Sequence, residues 1–402
     1  MLRTLYICYF GIREPLVQTQ VLPYLRQLAT ANVKVHLLTF EPRLREQWTS
    51  SELEARQKEL AAEGIAWSSL PYHKSPSLPA TLYDILAGAR FAVRLARREG
   101  IAVIHARAHV PMAMALLARR FARVKLIFDI RGLMAEEYAD AGIWAKNSLP
   151  YRLVKKLENA GIRHADQIVV LTERLRHWLV EHKLKPAGQI QVIPCCVDLS
   201  RYTAPVPEAR QVRFEIVYAG SVTGVYLLEE MARFFLAVRE RQADAFFRIL
   251  TTGSAEEVTA RLQHAGVRSS DFWVGKVKPD DVPGYLQRAR LGLSFRQPEF
   301  TQIAASPTKI AEYLAAGLPV VCNSGVGDVD ALLAREHVGV LLEELDARAY
   351  ARAAEQALQL VSEPQIRERC IAVARRNFDL TTVGAARYQD VYGRIAIGPN
   401  AN

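Results

Sequence analysis

The chain has 402 residues, half of them apolar and 23% charged, with 22 Gly and 19 Pro. That composition excludes disordered, collagen-like and mucin-like chains, and at roughly 100–200 residues per domain the length allows two domains or three. A balance of 52 Lys plus Arg against 42 Asp plus Glu, a net charge of +10, points to an anionic partner: nucleic acid, a membrane surface or a phosphorylated substrate.

Along the chain, short β-branched runs alternate with helix-length amphipathic stretches. The first run, LYICYFGI at 5–12, is followed by Arg13-Glu14-Pro15 and not by a small-residue cleavage site, so it reads as a buried strand rather than a signal peptide. Strands are predicted near 4–9, 33–39, 65–70, 101–105, 125–130, 167–171 and 191–193. Helical patterns lie between them, such as Val17, Val21, Leu25 and Leu28 at steps of three and four. Continuous apolar strands joined by helices imply parallel sheets covered on both faces. Pro205 and Pro207 mark a linker at 198–210. The alternation restarts with strands near 213–219, 246–251, 272–274, 291–295, 319–322 and 338–342, and the tail at 364–395 reads as two or three helices. The economical architecture is α/β: two doubly wound, Rossmann-like parallel-sheet domains, 1–200 and 201–375, facing a cleft at the carboxyl ends of their strands. The segment 376–402 is expected to end in a helix that crosses back to the first domain.

Five cysteines (Cys8, Cys195, Cys196, Cys322 and Cys370) are odd in number and lack Cys-x-x-Cys spacing, which suits free thiols in the cytoplasm and no zinc site. The longest charge-free stretch, 313–327, contains Gly and Pro and is too short to span a bilayer.

The densest chemistry lies at 295–328. Ser306-Pro307 is predicted to start a helix, with Ser as N-cap and Pro in the first turn. Its exposed N–H groups and dipole suit a phosphate, and Lys309, a cation that opposes the dipole, makes sense if an anion sits between. Glu312 follows one turn later, where its carboxylate could accept two sugar hydroxyls. Taken alone, such residues read as a capped, solvated helix. The Gly-rich strand exit NSGVGD at 323–328 tips the balance toward a site.

Four segments in order then resemble the retaining GT-B glycosyltransferases of family four. SPTKIAEYLAAGLPVV at 306–321 is similar to that family's donor-site helix and strand. IQVIPCCVDLSRY at 190–202 is similar to its interdomain signature, with Cys195-Cys196 in place of Asn-Gly. EIVYAGSVTGVYLLEEM at 215–231 resembles its strand and glycine loop, and 271–295 the segment that brackets the base. The resemblance implies a nucleotide-sugar donor on the second domain and an acceptor on the first. By position, Glu312 would hold the ribose, and Gly220 and Ser221 would approach the diphosphate. Ser306, Thr308, Lys276, Arg296 and Lys309 complete the expected donor set. Two departures stand out. Ala304 replaces the first glutamate of the family's pair, leaving its role to loop backbone or Glu299, and no cation follows the glycine loop, so Lys309 and Arg296 must neutralise the diphosphate. With phosphates held by cations and backbone, no metal and no cofactor are required, and no covalent nucleophile is assigned.

In the first domain FDIRGLMAEEY at 128–138 follows a predicted strand. Asp129, with Glu136 and Glu137, could orient or deprotonate an acceptor hydroxyl, and Arg131 could grip a phosphate or carboxylate. An Asp129–Arg131 ion pair that only fixes the loop is the equal alternative. Arg13, His105 and His109 are further acceptor-side candidates, the histidines as readily packed in a core. The expected catalytic set is Asp129, Lys309 and Glu312.

Residues 1–200 carry 28 Lys plus Arg against 18 Asp plus Glu, whereas 201–402 carry 24 of each. The anionic partner therefore meets the first domain. Arg90, Arg94, Arg97 and Arg98 share a helix face beside an apolar one, and Arg152, Lys155, Lys156 and Arg163 share another, as on helices that lie on acidic lipid. No nucleic-acid partner is expected: no recognised motif is present and the clusters carry few aromatics for stacking, which sets it well below a membrane.

The expected function is transfer of a sugar, with retention, from a nucleotide sugar (UDP-sugar ahead of GDP-sugar) to a saccharide or lipid-linked acceptor in surface glycan synthesis. The expected place is the cytoplasm, peripherally on the membrane. A sugar-nucleotide 2-epimerase and a non-catalytic nucleotide- or glycan-binding protein are the alternatives.

Overall fold

The computed structural model describes residues 1–202 and 213–397; Pro205 and Pro207 of the expected linker lie outside them. Two compact units emerge, Met1–Pro194 with Leu380–Asn402, and Cys195–Asp379.

The first unit is built on strands β1 Leu2–Cys8, β2 Val33–Pro42, β3 Ile65–Tyr72, β4 Val103–Arg107, β5 Lys125–Asp129, β6 Gln167–Val170 and β7 Ile190–Val192. They form one parallel sheet in the order β3-β2-β1-β4-β5-β6-β7. The second unit uses β8 Phe214–Ala219, β9 Ala245–Leu250, β10 Phe272–Gly275, β11 Leu291–Ser294, β12 Val320–Asn323 and β13 Gly339–Leu342 in the order β10-β9-β8-β11-β12-β13. Each predicted strand is present, because a strand buried on both faces announces itself as a continuous apolar run: all residues of β4, β6, β11 and β12 are buried. Helices join the strands, as parallel pairing requires.

Both sheets reverse their winding beside their first strand, between β1 and β4 in one unit and between β8 and β11 in the other. Open α/β sheets hold ligands at the carboxyl ends of strands flanking such a point. In the second unit these ends are Gly220 and Arg296. In the first they are the Tyr9–Gly11 turn and Ala108.

Candidate functional site

In the second unit, β8 runs out into Gly220, whose φ of +141° only glycine adopts without strain. A Cβ there would stand 3.1 Å from Lys309 Nζ, so the glycine lets the loop lie directly on that ammonium. The loop is braced from behind: Arg261 donates to the Val222 carbonyl at 2.9 Å and pairs with both carboxylate oxygens of Glu229.

Lys309 projects from helix Thr308–Ala315 and is buried. Its ammonium donates to the Tyr218 hydroxyl at 3.0 Å, lies 3.7 Å from the Tyr226 ring centroid, and forms no ion pair among the described residues. Tyr218 in turn donates its hydroxyl hydrogen bond to the Ser221 carbonyl. Burial, and then repulsion from Arg296, hold the Lys309 ammonium well below the usual lysine range, with Glu312 opposing them. The helix is fixed to the strand ends by Tyr313, whose hydroxyl accepts from Ala219 N–H at 2.9 Å and donates to the Leu293 carbonyl at 3.2 Å.

Arg296 follows β11. Asn323 clamps its backbone in both directions, accepting its N–H at 2.7 Å and donating to its carbonyl at 2.8 Å. The guanidinium donates to Gln302 Oε1 at 2.7 Å and to the Tyr226 hydroxyl at 3.4 Å. Both partners are neutral. Two cations thus converge on the winding reversal, held among the described residues by hydroxyl, amide and ring groups rather than by an ion pair, an arrangement that favours an incoming anion.

Glu312 is half-buried on the same helix, and burial raises its carboxyl against the pull of Arg201 and Lys309. Ser221 is exposed at the glycine loop, and Lys276 is exposed just beyond β10. The helix begins at Thr308, one residue later than the sequence suggested, since Pro307 is extended (ψ 115°). Ser306 therefore does not cap it; its hydroxyl accepts the Cys195 N–H at 3.1 Å. Ala304 is buried in the turn Phe300–Ala304, and Glu299 is exposed just before it. An Asp-x-Asp run lies at Asp328-Val329-Asp330, and Asp330 accepts the Gly325 N–H at 2.9 Å to shape the glycine-rich exit of β12.

In the first unit Asp129 is completely buried. It accepts from the Tyr388 hydroxyl at 3.1 Å, and Arg131 and Arg107 approach to 3.4 and 3.5 Å. Burial alone would raise its carboxyl; Arg131, His105 and Arg107 outweigh burial and hold it well below the usual range. A carboxylate so stabilised is a weak base, and its nearest cation is the Arg131 guanidinium. His105, also buried, bonds the Tyr392 hydroxyl at 2.9 Å. His109 is buried on Glu158 at 2.8 Å, which in turn meets Lys155, and Lys155 meets Glu136. Arg13 pairs with exposed Glu52 and lies over Trp48. Glu137 is exposed and hangs over Gly132, where a Cβ would collide with its carboxylate. So Asp129, Arg131 and Glu137 gather after β5, whereas Arg13 and His109 are engaged elsewhere.

Sequence reasoning missed several partners. Tyr388 lies 259 positions from Asp129, and Tyr218 and Tyr226 carry no local mark of facing a cation. Asp84, buried in helix Ser77–Glu99, accepts from the Tyr9 hydroxyl at 2.7 Å and His73 Nδ1 at 2.5 Å beside the ends of β1 and β3. At Ala108, directly after β4, a non-glycine residue sits at φ +68°, ψ −173°, a conformation otherwise left to glycine.

Two Rossmann-like parallel sheets with this strand order have the GT-B architecture. Residues 17–201 match the family described as Glycosyltransferase Family 4 and residues 213–360 match Glycosyl transferases group 1; the chain belongs to this family. No curated protein sequence matches it. Among solved structures, sucrose-phosphate synthase from Thermosynechococcus elongatus aligns at a TM-score of 0.75 and 15% identity, covering 99% of this chain and 100% of that one. A glycosyltransferase from Rickettsia africae aligns at 0.71 and 13%, covering 100% and 99%. Anabaena HepE, solved in complex with UDP and glucose, aligns at 0.67 and 14%, covering 98% and 100%. At these identities the likeness is one of fold.

Proposed function

We propose that the protein transfers a sugar from a nucleoside diphosphate sugar, a UDP-sugar ahead of a GDP-sugar, to a hydroxyl of a saccharide or lipid-linked saccharide, with retention. The observation that carries this reading is the pair Lys309, against Gly220, and Arg296, two cations that form no ion pair among the described residues. A diphosphate placed there would compensate both, and as leaving group it would gain negative charge in the transition state, where preorganised donors count most. HepE, whose structures include UDP and UDP-glucose complexes, supports the choice of uridine. The anomeric carbon–oxygen bond to the diphosphate breaks as the acceptor oxygen bonds to that carbon on the same face, and the acceptor proton passes to a diphosphate oxygen. Glu312 would hold the ribose, and Arg131, fixed by Asp129, would meet the acceptor. Metal is not needed to supply charge at the diphosphate. A cytoplasmic place at a membrane, in surface glycan assembly, suits a lipid-linked acceptor.

The test is release of UDP from UDP-glucose, and of GDP from GDP-mannose, by the purified protein, with Lys309→Met and Glu312→Ala as variants. Turnover lost in both variants supports the site; full activity in both overturns it. Ala304, in place of the family's first glutamate, favours a second reading as a nucleotide-binding protein without catalysis. Tight UDP binding with no turnover of any donor would select it.

A further inference from the structure

We propose that the first unit docks on a bilayer carrying acidic lipids through the outer face of three helices, Ser77–Glu99, His109–Arg119 and Leu149–His164. The inference rests on the proposed function only in giving a lipid-linked acceptor a place to be met.

The middle helix packs against both others. Each helix leaves the carboxyl end of one strand and returns to the amino end of the next parallel strand, so all three run the same way across the sheet. Their first halves carry most of the exposed apolar side chains, with Arg152 exposed among them on the third helix. Leu78, Leu82, Tyr83 and Leu86 on one flank, and Leu149 with the preceding Ile143 on the other, are each more than half exposed. Between them Val110, Ala113 and Leu117 are half-buried. Amphipathic periodicity would assign Leu82 and Leu86 to the sheet. The structure instead packs small residues inward, Ala89, Ala92 and Ala96, and leaves the leucines outside.

The second halves are basic. Arg90, Arg94, Arg97 and Arg98 are exposed on the first helix, and Arg90 and Arg94 form no ion pair among the described residues. At the end of the middle helix and just past it, Arg119, Arg120, Arg123 and Lys125 ring a cavity of about 700 Å³, Arg119 and Lys125 sharing Asp166, with Phe121 standing 64% exposed at its rim.

Both properties belong to this unit alone. Of the exposed large apolar side chains among the described residues, only Trp273 and Phe300 lie in the second unit. By sequence the first unit holds 30 Lys plus Arg against 18 Asp plus Glu, and the second holds 22 against 24. Isolated exposed leucines are ordinary, but an apolar band continued by a basic band is not. Charge selects the occupant: a second copy of this chain would bring cations to cations, whereas acidic headgroups complement them. The apolar end enters the headgroup layer while the arginines lie over phosphates.

The experiment is flotation of the intact protein with vesicles of phosphatidylcholine alone, or with one third phosphatidylglycerol, at low and physiological salt. Binding to the acidic vesicles that weakens with salt is expected. Arg90→Gln and Arg94→Gln should each lower it about fivefold. Leu82→Ser with Leu86→Ser should lower it about tenfold or more at both salt concentrations. All four side chains are exposed, so the variants should keep the parent's circular dichroism and its thermal shift with UDP. Equal binding to neutral vesicles, no binding to either, or undiminished binding by the variants overturns the proposal. So does dimerisation in solution that the leucine variant abolishes. Because UDP binding is read separately on the same samples, failure here is distinguishable from failure of the glycosyltransferase reading.

Discussion

Replacing Lys309 with Met should move stability and ligand affinity in opposite directions. The side chain keeps its length but loses a buried ammonium that has a tyrosine hydroxyl at 3.0 Å, a ring face at 3.7 Å and the repulsion of Arg296. Exchanging a buried charge for a well-packed apolar group is often stabilising, by about 1–4 kcal/mol. Each kcal/mol raises Tm by about 2–4 °C in a domain of this size. The pH dependence gives a second signature. The folded ammonium has a lowered pKa, so the folded protein binds fewer protons than the unfolded chain. Wild-type stability therefore rises with pH from the lowered value up to the ordinary 10.5, and the advantage of the Met variant shrinks over that window. With UDP present the order reverses, because a charge-assisted hydrogen bond of about 1.5–3 kcal/mol is lost, about 10–100-fold in affinity. Thermal unfolding with and without UDP, backed by calorimetric titration, reads both effects. A Met variant that is less stable without ligand and binds UDP as well as the parent would refute the reasoning and make Lys309 a structural residue.

Three further expectations follow from the same geometry. Gly220→Ala puts a Cβ 3.1 Å from Lys309 Nζ at φ +141°, and should cost about 1–3 kcal/mol in urea unfolding while weakening UDP binding. Asp129→Asn removes the buried carboxylate that faces Arg107 and Arg131 and should cost about 3–5 kcal/mol at neutral pH. Since the Asp129 carboxyl is held below its ordinary 3.8, its contribution is present above that pH and lost as pH falls, so wild type and variant should converge in acid-unfolding curves. Ala108→Gly relieves the strained turn after β4 and should raise stability by about 1 kcal/mol, net of the entropy glycine adds to the unfolded chain.

The strands were legible because burial on both faces writes them as unbroken apolar runs, and the winding follows from their alternation with helices. Gly220, Arg296 and Lys309 were legible for a related reason: each stands where an apolar strand or a Pro-started helix meets a polar loop. The cage around Lys309 was not, since Tyr218 inside a strand and Tyr226 in a loop carry no local mark of facing an ammonium. Nor was the role of Asp129, which depends on Tyr388 from the far end of the chain and on Arg107 from the neighbouring strand. Ser306 offered a helix cap by sequence, but an extended Pro307 moved the helix start and turned its hydroxyl to Cys195. On helix Ser77–Glu99 periodicity marked an apolar face correctly, yet only packing decides that alanines fill the space against the sheet and leucines remain outside.

The most direct measurement of the central claim is calorimetric titration of the intact protein with UDP and with uridine. A diphosphate seated on Lys309 and Arg296 gains charge-assisted hydrogen bonds that uridine cannot make, so UDP should bind at least about 100-fold more tightly than uridine. Equal affinity for the two would contradict the assignment of Gly220, Arg296 and Lys309 as the diphosphate site.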